Sequence, residues 1–248
     1  MRLLTFAANW KMHIGPAEAR DFAEKFLEAT APKLGRELWF FPPAVTVDAA
    51  AFAFAARGDI KVGAQDVHWE PKGAFTGAVS VPLAKAAGAA GALVGHSERR
   101  HVFGETDAET AKKVRALLDG GLAPMLCVGE KLEQREAGET DAVCARQLRA
   151  ALEGLSPAQL AKVTIAYEPV WAIGTGKNAT PKDAAAAHKA IRGVLAGLGL
   201  AGRATVLYGG SVNAGNAAAL LAEDELDGVL VGGASLDPAG WAGIVEVG

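Results

Sequence analysis

Short apolar runs rich in β-branched residues recur along the whole chain, at 3–8, 37–41, 60–64, 91–95, 122–128, 163–168, 204–208 and 228–232. Most are continuously apolar instead of alternating, the pattern of strands buried on both faces. Between them lie stretches rich in alanine and charge with helical spacing. One opens at Pro16, where proline suits the first helical position. A second, 105–118, stops at Gly120-Gly121. A third starts at Thr180-Pro181 and carries Ile191, Val194, Leu195 and Leu198 along one stripe. Strand then helix, eight times over, predicts an α/β protein with a parallel sheet. The 248 residues allow about 31 per unit, and a closed eight-stranded barrel typically takes about 250. No proline-rich or glycine-serine linker divides the chain. The expectation is a (β/α)8 barrel forming one domain over residues 1–248, with an open doubly wound sheet the less favoured alternative.

Composition narrows the function classes. Half of the residues are hydrophobic and 21% are charged, which argues for a packed core and against disorder. Glycine is in excess, 30 residues of 248 where roughly 7% is usual, and it follows no collagen-like repeat. These glycines must serve turns, helix ends or places where backbone approaches a ligand. A net charge of −3 without a Lys/Arg run argues against a nucleic-acid partner. The apolar start breaks at Asn9-Trp10-Lys11, and the longest uncharged stretch, 204–222, is broken by Gly209-Gly210-Ser211, Asn213 and Asn216, so no membrane span is expected. Two cysteines, Cys127 and Cys144, suit a reducing cytoplasmic setting without a disulfide framework.

The chemistry lies after the strands. Asn9 and Lys11 follow the first run, Gln65 and Asp66 the third, 96–100 the fourth and Glu130 the fifth. Glu168 ends the sixth, Gly209-Gly210-Ser211 follows the seventh, and Gly232-Gly233-Ala234-Ser235 the eighth. In a barrel all of these share the C-terminal face, where active sites are built. One Gly-Gly pair marks a tight turn. Two, after strands seven and eight, predict backbone N–H groups aimed at a phosphate.

Glu168 precedes Pro169-Val170-Trp171, and burial there would raise its pKa and make it a stronger base. Residues 169–180 mix Val170, Trp171 and Ile173 with Gly174 and Gly176, the make-up of a lid. His96 stands just before the helix-like start Ser97-Glu98, where an imidazolium is disfavoured and a neutral ring can donate to a carbonyl. Lys11 supplies positive charge for a phosphate or an enolate. P-loop, Gly-x-Ser-x-Gly and zinc-ligand motifs are all missing, so neither a metal nor a cofactor is expected. A base, a neutral electrophile, a cation and a phosphate grip fit proton abstraction beside the carbonyl of a small phosphorylated sugar.

Five segments carry a family resemblance. They are Asn9-Trp10-Lys11-Met12, Gly95-His96-Ser97-Glu98-Arg99-Arg100, the run from Ala166 to Lys177, Tyr208-Gly209-Gly210-Ser211-Val212 and Val231-Gly232-Gly233-Ala234-Ser235-Leu236. In order and spacing, from end to end, the chain resembles the triosephosphate isomerases. The resemblance implies interconversion of dihydroxyacetone phosphate and D-glyceraldehyde 3-phosphate, a step of glycolysis and gluconeogenesis. Glu168 would move the proton, His96 polarise the carbonyl, and Lys11 and Asn9 hold substrate and stabilise the enediolate. Backbone N–H groups of Gly174, Ser211, Gly232 and Gly233 would take the phosphate, and Glu98 would pair with Lys11.

The resemblance also implies a cytoplasmic homodimer whose 71–80 loop reaches into the neighbour. Phe75 would lie at that interface and Thr76 would approach the partner's Asn9 and the partner's His96. Ala78, where the family generally has Glu, His13, where Asn is common, and Asp66, which replaces a frequent Asn, are departures that bear on the interface. Two other readings remain at this point: a Schiff-base aldolase using Lys11, and a phosphosugar-binding barrel without catalysis.

Overall fold

The computed structural model describes residues 3–173 and 179–247. Its strands are β1 (Leu4–Asn9), β2 (Arg36–Phe41), β3 (Ile60–Ala64), β4 (Gly91–Val94), β5 (Ala123–Val128), β6 (Thr164–Tyr167), β7 (Val206–Tyr208) and β8 (Gly228–Val231). Each pairs in parallel with the next, and β1 pairs with both β2 and β8, so the sheet closes on itself. The architecture is a (β/α)8 barrel, not an open sheet.

The continuous apolar runs have a structural cause. Alternate strand residues point inward, where Ala7, Trp39, Phe41, Leu93, Met125, Cys127, Ala166, Leu207 and Leu230 fill the barrel. Their neighbours, among them Phe6, Phe40, Leu126 and Ile165, point outward into the core shared with the helices. Both faces are largely dry, so most positions on both are apolar. The interior needs local room for bulk: Trp39 and Phe41 stack at 5.6 Å, and a Cβ at Gly63 would lie 2.4 Å from the Phe41 ring.

Helix starts follow their caps. The helix Pro16–Ala29 has proline in its first turn and buries Ala19, Phe22, Ala23 and Phe26. The helix expected from 105 begins instead at Asp107, because Thr106 and Glu109 form a capping box. Glu105 is left outside the helix and turns inward, accepting from Gly95 N–H at 3.1 Å and pairing with Lys113 at 3.0 Å. Thr180 caps the helix Pro181–Gly197, in which Ile191 and Leu195 are buried while Val194 and, just past the helix end, Leu198 are half-buried at the edge of the stripe. Cys127 and Cys144 are free and buried. Among the described residues no helix is long and apolar enough to cross a membrane.

Candidate active site

Strand ends set the positions of the polar side chains. The run 163–168 shortens to β6, which leaves Glu168 one residue beyond the strand, its N–H donating to Val128 O at 2.8 Å. There it meets the ends of its neighbours. A cavity of about 270 Å³ at this face is lined by Asn9, Lys11, His96, Glu168, Ser211, Gly232 and Gly233, together with Ile173, Val212 and Leu230. Its size suits a small ligand, and its polar groups converge from β1, β4, β6, β7 and β8. Gly174, assigned to the phosphate from the sequence, lies outside the described residues.

Glu168 and His96 form the centre. Both are buried, at 2% and 6% exposure. His96 Nε2 lies 3.0 Å from Glu168 Oε1, and the second carboxylate oxygen accepts from Ser97 N–H at 2.7 Å. His96 caps the helix Ser97–His101, with Nδ1 accepting from Glu98 N–H at 3.3 Å. An Nδ1 that accepts leaves the proton of the neutral ring on Nε2, facing the cavity. Asn9 Nδ2 lies 3.1 Å from that same nitrogen, while Asn9 Oδ1 accepts from Lys11 N–H at 3.0 Å.

The electrostatics differ from the sequence expectation at both residues. Burial pushes the Glu168 carboxyl up, but His96, Ser97 N–H and Lys11 together outweigh it and hold its pKa below the usual carboxylate value. Burial likewise pushes His96 toward the neutral form, and the Glu168 carboxylate outweighs it, raising the imidazole pKa. The expected upward shift of the carboxyl is thus reversed while the two side chains touch, and the imidazole pKa moves up instead of down, although the accepting Nδ1 leaves the ring neutral in this geometry. The cause is their direct contact, which spacing along the chain did not reveal.

Lys11 adopts a left-handed backbone, φ 48°, and its Nζ forms a 2.7 Å ion pair with Glu98. That arrangement commits the amine to a charge contact instead of freeing it as a nucleophile. On the other wall, a Cβ at Gly209 would lie 2.8 Å from Glu168 Cγ, so glycine there leaves the carboxylate its place. Ser211 Oγ donates to Ala172 O at 2.6 Å, linking the turn after β7 to the segment after β6. Gly233 opens a short turn, Gly233–Ser235, whose Ser235 N–H donates to Gly232 O at 2.8 Å. Phe75 and Thr76 lie on the exposed 71–78 segment, outside the cavity.

Some partners escaped sequence reasoning. Glu130, noted only for its place after a strand, is fully buried and accepts from Tyr167 OH at 3.1 Å and Trp171 Nε1 at 2.9 Å. Gln147 pairs with the backbone of Gly129. Its signal was there to find: a lone amide on the otherwise apolar stripe Val143, Cys144, Leu148, Ala151 of the helix Thr140–Leu152.

The family model for triosephosphate isomerase matches residues 4–248. The chain belongs to the triosephosphate isomerase family. Triosephosphate isomerases from Solibacter usitatus and Symbiobacterium thermophilum are each 49% identical, over 99% and 98% of this chain and 100% and 96% of theirs. The one from Thermus thermophilus is 48% identical over 100% of this chain and 99% of its own length. Membership makes the chain an isomerase and accounts for a cavity that gathers a carboxylate, an imidazole and an ammonium group beside two glycine-rich turns.

Proposed function

We propose that this chain interconverts dihydroxyacetone phosphate and D-glyceraldehyde 3-phosphate by proton transfer through an enediolate. The observation that carries the reading is the meeting of Glu168, His96 and Lys11 in one cavity with the Ser211 and Gly232-Gly233 turns opposite. Glu168 takes a proton from the carbon beside the carbonyl and returns it to the neighbouring carbon. His96 Nε2–H donates to the substrate oxygen that gains charge, and Lys11 with Asn9 offsets that charge. The turns after β7 and β8 take the phosphate on their N–H groups.

In the described conformation both oxygens of Glu168 are engaged, by His96 and by Ser97 N–H. To act as base it must release them and enter the cavity. Without those donors burial becomes the dominant influence, and the carboxylate becomes the stronger base that the reaction needs. Releasing Glu168 also removes the charge that holds the His96 pKa up, which secures the neutral ring for its role as donor. The role assigned from the sequence to the 169–180 lid, whose residues 174–178 lie outside the described residues, would be to exclude water from the intermediate. The start of that segment is held by Glu130 through Trp171 and by Ser211 through Ala172.

The working unit is a cytoplasmic homodimer joined through the 71–80 loop. Met12, Val45, Phe75, Val102 and Phe103 are exposed apolar side chains at 92%, 78%, 45%, 72% and 68%. They follow β1 to β4, which are consecutive in the barrel, so they fall on one side of the molecule. The test is a coupled isomerase assay run in both directions, with one further run in D2O. Turnover both ways, with deuterium entering the product at the carbon beside the carbonyl, is the expected outcome. No turnover, or trapping of substrate on Lys11 by borohydride, overturns the reading.

A further inference from the structure

Beyond the cavity, the strip of backbone that supports Glu168 has an unusual anchor. Past the end of β5, residues 128–130 continue alongside residues 168–170: Glu168 N–H donates to Val128 O at 2.8 Å and Val170 N–H to Glu130 O at 3.0 Å. Gly129 sits between these two contacts, and a Cβ there would fall 1.7 Å from Glu168 O, so the two backbones touch. In such a ladder the polar groups of the intervening residue point away from the paired strand. Here β4 has already ended at Val94, so no strand meets them on that side. The side chain of Gln147 meets them instead: Gly129 N–H donates to Oε1 at 2.8 Å and Nε2 donates to Gly129 O at 3.1 Å. Gln147 comes from the helix Thr140–Leu152 and is buried, at 3% exposure.

We infer that Gln147 is a positioning residue for the base: its amide stands in for a missing strand and fixes the strip against which Glu168 and the start of the lid are set. It touches neither substrate nor the reacting atoms. It acts through Gly129 on the Glu168 backbone, and through the adjoining Glu130 on Tyr167 and Trp171. A base held by this strip keeps its approach to the substrate carbon, and a misplacement of under an ångström is costly to a step that depends on alignment. Substrate binding relies on groups from β1, β4, β7 and β8, which Gln147 does not touch, so its loss falls on kcat and spares KM.

The inference rests on the isomerase reading, and the experiment separates the two. Wild type, Gln147→Met and Gln147→Glu are assayed side by side, with thermal unfolding as a check on folding. Gln147→Met keeps the volume and loses both hydrogen bonds. Gln147→Glu keeps the shape, and its carboxylate faces Gly129 O without a proton to donate. When that carboxyl is protonated it regains both a donor and an acceptor. The expected result is a kcat lower by about ten-fold in both variants at neutral pH, with KM within about two-fold of wild type. As pH falls, the kcat of Gln147→Glu relative to wild type recovers, while the Gln147→Met ratio stays flat. Wild-type kcat in both folded variants, or a loss carried by KM, overturns the inference. If Gln147→Met fails to fold, the pH dependence of Gln147→Glu decides alone. An inactive wild type would refute the isomerase reading instead.

Discussion

His96 and Glu168 show how contact reverses what burial alone would dictate, and His188 shows burial acting unopposed. His188 is completely buried, its Nδ1 lies 3.1 Å from Glu225 O, and its Nε2 has no hydrogen-bond partner among the described residues. Burial drives its pKa down to about 3. The folded protein therefore resists a proton that the unfolded chain accepts near the ordinary value of about 6.5. Between those values the unfolded state binds more protons, so stability falls as pH falls, by about 1.4 kcal/mol per unit from this one site. Replacing His188 with Gln removes that contribution. Unfolding free energies measured from pH 7 to pH 4 are expected to show a shallower acid slope in His188→Gln than in wild type. Parallel slopes would refute the assignment. His188 sits on the apolar stripe with Ile191 and Leu195, three and seven residues on, so its burial was there to read; its edge contact with Tyr167 was not, because only the fold brings the two together.

At the scale of elements, the legible parts were those written in local chemistry. Apolar runs marked all eight strands, since burial on both faces leaves few polar positions, such as Glu37 and Lys61 near the strand starts, to blur the pattern. Boundaries were less legible. The 204–208 run yields only Val206–Tyr208 as strand, and the helix before β5 waits for Thr106. In that helix Glu109 accepts from Thr106 N–H at 2.7 Å while Thr106 Oγ1 accepts from Glu109 N–H at 3.2 Å. Thr106→Ala removes the side-chain cap at a cost of about 1 kcal/mol. A melting temperature lower by roughly 2–4 °C, with unchanged kcat, is the expected outcome. An unchanged melting temperature would show that the cap is dispensable. Glu105, one residue earlier, could not have been placed in this way, because its partners Gly95, Arg99 and Lys113 are brought together only by the barrel.

For the whole molecule, eight short repeats placed Asn9, Lys11, His96, Glu168, Ser211 and Gly232-Gly233 on one rim, and that much followed from order alone. What order could not supply was which of those residues touch. The Glu168–His96 contact spans 72 positions, and the Asn9–His96 and Lys11–Glu98 contacts each span 87. The exposed apolar side chains after β1 to β4 belong to this scale too. Phe75→Asp places a charge in the proposed subunit contact, where it cannot be hydrated. Sedimentation equilibrium is expected to show the wild type as a dimer and Phe75→Asp shifted toward monomer, with kcat reduced by about ten-fold or more as the proposed reach of Thr76 into the neighbouring site is lost. A wild type that sediments as a monomer with full activity would contradict the dimer.

In the proposed reaction the Glu168 carboxylate moves the proton, and its reach is set by one methylene. Glu168→Asp keeps the charge and withdraws it by about an ångström, a displacement that costs about a hundred-fold in an aligned transfer. The direct measurement is kcat for wild type and Glu168→Asp in the same coupled isomerase assay, with melting temperatures alongside. The predicted result is a fall of about a hundred-fold or more in kcat, with KM and melting temperature close to wild type. Turnover in a folded Glu168→Asp within a few-fold of wild type would contradict it.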